Sequence, residues 1–301
     1  MHVVVIGNYR SNNAGDDMYL YLLRLRYPQH TFVDHSDMSV TPDFVIYGGG
    51  GVLWEGNRRV DVLHRIVEEH NVPFCVLSVG SGSKSLKNHD KKTFKGAEFI
   101  TVRDRIALET IGGTMLPDLG WSYKPDVKPK GNKVGVMLRH SSTYKDYDLS
   151  KACQDIMRVL GDIGIYDGFL FFSTYGCRLW KQTMWSPGWA LASEYDIQYI
   201  DLHDTDNFIE HLDYYNQCKL VITMPYHGIV FSCLYGVPFM GWSYERKVTL
   251  LAEEMSLMLP TSLQTYPRIN RPERLPVKQM QEGAEIHYEM LDQYLNEKET
   301  E

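Results

Sequence analysis

The sequence predicts an α/β fold: two parallel-sheet domains layered with helices, a cleft between them and a trailing helix. Three observations lead there. Short runs rich in β-branched residues, bounded by Gly and Pro, alternate with helical patterns, as in a parallel sheet covered on both faces. That rhythm stops at a Pro- and Lys-rich segment and then restarts. The length, 301 residues, suits two domains of about 150 residues each.

Taken in order, "HVVVIG" is a strand and "DDMYLYLLRLRY" a helix, then "DFVIYGG" a strand and "RRVDVLHRIVEEH" a helix. "PFCVLSVG" and "FITVRD" are strands, and "RIALETIGG" is a short helix with a Gly stop. The segment "SYKPDVKPKGNK" holds two prolines, a glycine and four lysines in twelve residues, and reads as a linker. A boundary near Lys130 divides the chain into 1–130, 131–270 and a C-terminal helix and tail over 271–301. The second half runs "KVGVML" (strand), "LSKACQDIMRVL" (helix), "GFLFFS" (strand), "DNFIEHLDYYNQ" (helix) and "KLVITM" (strand). It continues with "GIVFSCLYG" (helix), "VPFMGWS" (strand) and "VTLLAEEMSLML" (helix). After "TYPRINRPERLP", a last helix from about Glu282 to Asn296 carries Ile286, Met290, Leu291 and Leu295 at helical spacing.

Composition narrows the function. Apolar residues make up 44%, ordinary for a globular chain, and 31 basic against 38 acidic residues give a net charge of −7. Such a chain is a poor partner for duplex DNA, which demands many phosphate contacts. "MHVVVIGN" lacks a basic n-region and a long apolar run, so no signal peptide is expected. No stretch of about 18 apolar residues predicts a membrane span. The five cysteines form no C-x-x-C pair, which points to reduced thiols and a cytoplasmic setting. Cys75 and Cys233 lie in apolar runs and are expected in the core.

In open α/β sheets ligands bind beyond the carboxyl ends of the strands, so the loops there hold the candidates. Asn13 or Asp16 caps the first helix, and Gly15, Asp16 and Asp17 occupy its entrance. Two carboxylates make this helix end a poor anion site. Asn8, Asn12, Asn13 and Asp16 suit neutral hydroxyls such as those of a sugar, and without a lysine the loop is no nucleotide P-loop. "YGGGGVLWEG", with Gly49 and Gly50, is costly in backbone entropy unless the backbone approaches a ligand or another strand closely. "SVGSGSKS" brings Gly80, Gly82 and hydroxyls that can form an anion nest. Arg103 is either paired with Asp104 or aimed into the cleft, and Asp118 stands in "LPDLG". In the second half Arg139 and His140 follow "VML", where a guanidinium suits a carboxylate, a phosphate or an interdomain ion pair. His227 lies between a strand and an apolar helix, where imidazole can give or take a proton, and Lys247 adds a cation.

The segments "NNAGDD", "DFVIYGGGG", "VLSVGSGS", "ITVRD", "LPDLGW", "VGVMLR" and "MPYHGIVFSCLYGVPFMGWSYERKV", in that order over about residues 3 to 250, resemble the polysaccharide pyruvyl transferase family. The resemblance implies two Rossmann-like domains facing a cleft, as in GT-B-like glycosyltransferases. It also implies transfer of a pyruvyl group from phosphoenolpyruvate to two hydroxyls of a sugar or glycan, giving a cyclic ketal. The family's His carries onto His227 and its strand-end Arg onto Arg139. Its Arg two residues before that His does not carry over: Pro225 stands there. Arg139, Arg246 and Lys247, and after them Arg103, are the candidates to replace it. His227 would protonate the methylene carbon of the donor, and Asp16 or His140 would take the sugar proton. No Cys/His/Asp cluster has metal-ligand spacing, so neither metal nor cofactor is expected. The alternatives are a GT-B glycosyltransferase using a nucleotide sugar and a catalytically inactive carbohydrate-binding relative.

Overall fold

The computed structural model describes residues 1–9, 14–37, 40–54, 57–81, 89–137, 167–173, 197–202, 207–243, 245–261, 265 and 267–295. The chain divides into two compact units. The first takes Met1–Ser11, Gly15–Tyr123 and Lys278–Glu301, and the second Asn12–Ala14 and Lys124–Val277.

The first unit runs β1 (His2–Ile6), α1 (Ala14–Arg26), β2 (Thr31–Asp34), β3 (Phe44–Leu53), α2 (Arg59–His70), β4 (Phe74–Ser81), β5 (Ile100–Val102), α3 (Arg105–Ile111) and β6 (Thr114–Met115). Its six-stranded sheet has the order β2-β1-β3-β4-β5-β6, and every pairing is parallel. Val3 to Ile6 and all eight residues of β4 are buried, because a doubly covered sheet leaves neither strand face to water. Val60, Leu63 and Ile66 of α2 join Val4, Val45, Val76 and Val102 in one core. Asp104 caps α3 by accepting from the Ala107 amide at 2.8 Å, which satisfies a donor the helix start would leave unpaired.

The second unit carries β7 (Lys133–Met137), β8 (Phe169–Ser173), β9 (Ile197–Asp201), α4 (Phe208–Leu212), β10 (Cys218–Thr223), α5 (Tyr226–Leu234), β11 (Phe239–Gly241) and α6 (Arg246–Met255). Its five strands lie in the order β11-β10-β7-β8-β9, again all parallel. The α/β class and the restart of the rhythm thus stand. The sequence reading passes over β2, β6 and β9. All three are sheet edges, where a strand has one neighbour and needs less apolar sequence. The helix expected over "LSKACQDIMRVL" lies outside the described residues.

The last helix, α7 (Val277–Leu295), starts five residues before the expected Glu282 and counts, from Lys278 on, with the first unit. Its buried stripe is Met280, Ala284, His287, Tyr288, Leu291 and Leu295, whereas Ile286 is exposed. The apolar count misplaced the stripe because a histidine and a tyrosine hold its centre. His287 is fully buried. Its Nε2–H donates to the Pro117 carbonyl at 2.8 Å, and its Nδ1 accepts from the Thr101 hydroxyl at 3.0 Å. Thr101 Oγ1 in turn accepts from the Ser78 amide at 2.9 Å.

Burial lowers the His287 pKa from the ordinary 6.5 to about 4. Between those values the unfolded chain takes up a proton that the folded unit refuses. Stability is therefore unaffected above the unfolded value, falls as pH drops from about 6.5 towards about 4, and then levels, for a loss of about 3 kcal/mol. Urea unfolding across that range checks this. His287→Gln, which takes up no proton there, is expected to show a flatter profile.

Among the described residues no helix is long and apolar enough to cross a membrane. Cys75, Cys218 and Cys233 are buried free thiols; burial pushes Cys218 up to about 12, which keeps it protonated at neutral pH.

Candidate functional site

Each sheet has one point where strand order reverses, and ligands of open α/β sheets bind there. In the first unit it lies between β1 and β3. Asn8 leaves β1, and Asp16 sits buried in the first turn of α1. Asn8 Nδ2 donates to Asp16 Oδ2 at 3.1 Å. Gly50 has φ +82°, and a Cβ built on it would stand 2.0 Å from Asp16 Oδ1. Gly49 has φ +83°, and a Cβ there would reach the Tyr9 hydroxyl at 2.7 Å and the Tyr19 ring at 3.0 Å. Both conformations and both approaches require glycine. A Cβ on Gly48 would lie 2.0 Å from the Leu77 carbonyl oxygen of β4. The glycine run therefore serves strand-to-strand contact at Gly48 and admits side chains at Gly49 and Gly50.

Beside this glycine run, across the Tyr19 ring, lies a buried ion pair. Arg103 Nη1 and the Tyr19 hydroxyl both donate to Asp118 Oδ2. Arg103 Nη1 also stands 3.0 Å from the Tyr19 hydroxyl, and the Gly120 amide donates to Asp118 Oδ1 at 2.8 Å. Of the two arrangements expected for Arg103, pairing with Asp104 is not what forms. Asp104 accepts instead from the Ser81 amide and hydroxyl at 2.7 and 3.1 Å. A Cβ on Gly80 would sit 2.3 Å from Arg103 Nε, so this glycine makes room for the guanidinium.

In the second unit the reversal lies between β7 and β10. Thr223 pairs in register with Met137, and the Met224 amide donates to the Met137 carbonyl at 3.0 Å. Pro225, at φ −61° and ψ 144°, precedes α5 without a side-chain cap, and His227 falls in the helix's first turn. His227 is 8% exposed, its ring edge-on to Tyr226 at 5.2 Å and tilted against Phe231 at 6.1 Å. A Cβ on Gly228 would lie 2.0 Å from Thr223 Oγ1 and 2.7 Å from Met137 Sδ. Its glycine lets the first turn of α5 close on the ends of β10 and β7, which is what holds His227 at the switch point. At the start of α6, Lys247 Nζ lies 3.3 Å from Glu245 Oε2, while Arg246 is exposed.

The sequence-predicted residues thus fall into two groups. Asp16, Gly15, Gly49, Gly50, Gly80 and Arg103 belong to the first unit, and His227, Arg246 and Lys247 to the second. Asn13, Gly82, Arg139 and His140 lie outside the described residues; Arg139 follows the end of β7 by two positions. Sequence reading missed Arg59, whose Nε donates to the Gly7 carbonyl at 2.6 Å and whose Nη2 donates to Asn8 Oδ1 at 2.9 Å. A signal was available: Arg58 and Arg59 place two cations at a helix start, against the helix dipole, and such local misfits mark sites. Among the described residues no group of three or more His, Cys, Asp or Glu side chains could hold a metal ion.

A family model described as polysaccharide pyruvyl transferase matches residues 4–246. No curated protein sequence matches the chain significantly. Among solved structures, UDP-GlcNAc 2-epimerase of Methanocaldococcus jannaschii in complex with UDP-GlcNAc and UDP is similar, with a TM-score of 0.55 at 10% identity, over 95% of this chain and 98% of that one. A second structure of that archaeal enzyme gives 0.50 at 11% identity, over 95% and 97%. At such identity the likeness shows the fold alone, the expected GT-B-like class of Rossmann-like units. The family match covers most of the chain, and the chain belongs to the polysaccharide pyruvyl transferase family.

Proposed function

We propose that this family member transfers the pyruvyl group of phosphoenolpyruvate to two hydroxyls of a sugar in a glycan or its precursor, with His227 as general acid and Asp16 as base. The observation that carries the reading is the family match over residues 4–246. The first turn of α5, holding His227 at a strand-order reversal, supports it. His227 gives a proton to the methylene carbon of the donor, leaving positive charge on the adjacent carbon. A sugar hydroxyl bonds to that carbon and loses its proton to Asp16. A second hydroxyl then bonds to the same carbon as the phosphate leaves, taking the bridging oxygen and a proton with it. Carbon, oxygen and protons balance: one donor and two hydroxyls become one ketal and inorganic phosphate.

The donor carries a carboxylate and a phosphate, so cations must meet it. Arg139, His140, Arg246 and Lys247 are the proposed set on the second unit. Pro225 brings no charge where the family has Arg, and this favours a second reading, in which a nucleotide sugar replaces phosphoenolpyruvate. Thermal unfolding separates the two. At about 100 times its Kd, the true donor is expected to stabilise the protein by about 2.7 kcal/mol. Protection by phosphoenolpyruvate alone supports pyruvyl transfer, and protection by a UDP-sugar alone overturns it.

A further inference from the structure

We propose that Arg59 is a positioning residue: it orients Asn8, and Asn8 orients the Asp16 carboxylate. The inference rests on the assignment of Asp16 as the base. An asparagine side chain can face its neighbours either way round. Here one neighbour is a guanidinium and another a carboxylate, and both favour the same orientation. Asn8 Oδ1 accepts from Arg59 Nη2 at 2.9 Å, which turns Nδ2 onto Asp16 Oδ2 at 3.1 Å. The reverse orientation would set oxygen against carboxylate and amide hydrogens against guanidinium. Arg59 is itself fixed at both ends of its fork. Its Nε donates to the Gly7 carbonyl at 2.6 Å, and its Nη1 lies 3.4 Å from Asn57 Oδ1. Asn57 is anchored in turn, donating to the Val52 carbonyl and accepting from the Arg59 amide at 3.1 Å. The ends of β1 and β3 and the start of α2 thereby converge on one carboxylate, whose other oxygen lies against the backbone of Gly50.

A lysine at position 59 keeps the charge but cannot span three acceptors with a planar fork. Arg59→Lys is expected to lower kcat by about 10- to 100-fold with the donor KM unchanged, because a misplaced base slows chemistry more than donor binding. Asn8→Asp, which sets a carboxylate against Asp16, is expected to do the same and carries the test if Arg59→Lys fails to fold. In the Asp16→Asn background, Arg59→Lys is expected to cause no further loss, since the group it positions is already gone. A full additional loss in that background, or wild-type kcat in folded Arg59→Lys beside an impaired Asp16→Asn, overturns the relay and leaves the proposed reaction standing. Wild-type turnover in Asp16→Asn overturns the base assignment and the relay with it.

Discussion

His227→Ala is expected to lower turnover by about two orders of magnitude or more, the usual worth of a positioned proton donor. Two of the neighbours that meet the ring are aromatic, Tyr226 and Phe231, and Pro225 has neither a titratable group nor an N–H. Removing the ring also empties space in a buried helix, so activity lost with the fold must be told apart from activity lost with the proton. His227→Gln serves that purpose, keeping most of the volume and a polar tip but nothing that titrates near neutral pH. Both variants are expected to lose turnover alike, while His227→Gln melts closer to the wild type. Wild-type turnover in either folded variant removes His227 from the chemistry.

The parts of this protein legible in its sequence are those written locally. Continuous apolar runs such as Val3–Ile6 and Phe74–Leu77 identify central strands, because a strand covered on both faces has no polar alternation to show. Asp16 is where a carboxylate at a helix entrance is expected, but Gly49 and Gly50, expected in a loop after a strand, lie inside β3, because glycine lowers strand propensity without forbidding a strand that its neighbours pair. What the sequence conceals is pairing at a distance. Tyr19 and Asp118 are 99 positions apart, and Arg59 and Asn8 are 51 apart; no local pattern connects them. Arg103 shows the trap in reasoning from neighbours. Asp104 is next to it in sequence, yet its carboxylate turns to cap α3 and Arg103 reaches the loop after β6. The terminal helix was found by its apolar period, but its side chain of greatest structural consequence is a histidine that this period does not register.

Asp118→Ala is expected to destabilise the first unit by about 3–5 kcal/mol, since removing one member of a buried ion pair strands the other charge. The side chains of Arg103 and Asp118 are 3% and 0% exposed, so water cannot compensate the orphaned guanidinium. The carboxylate also accepts from the Tyr19 hydroxyl and the Gly120 amide, which lose their partner together with it. A loss of that size lowers Tm by roughly 10 °C in a unit of this length. A double variant, Arg103→Met with Asp118→Leu, is expected to recover much of the loss, because an apolar pair of similar volume removes the stranded charge. Its turnover is expected to stay low even so. The Tyr19 ring that Asp118 holds packs where Gly49 bends, one residue from the glycine against which Asp16 lies. Differential scanning calorimetry of the three proteins decides the matter. A single variant that melts with the wild type would mean that the pair adds nothing to stability, and the link from Asp118 through Tyr19 to Gly49 would then lose its structural basis.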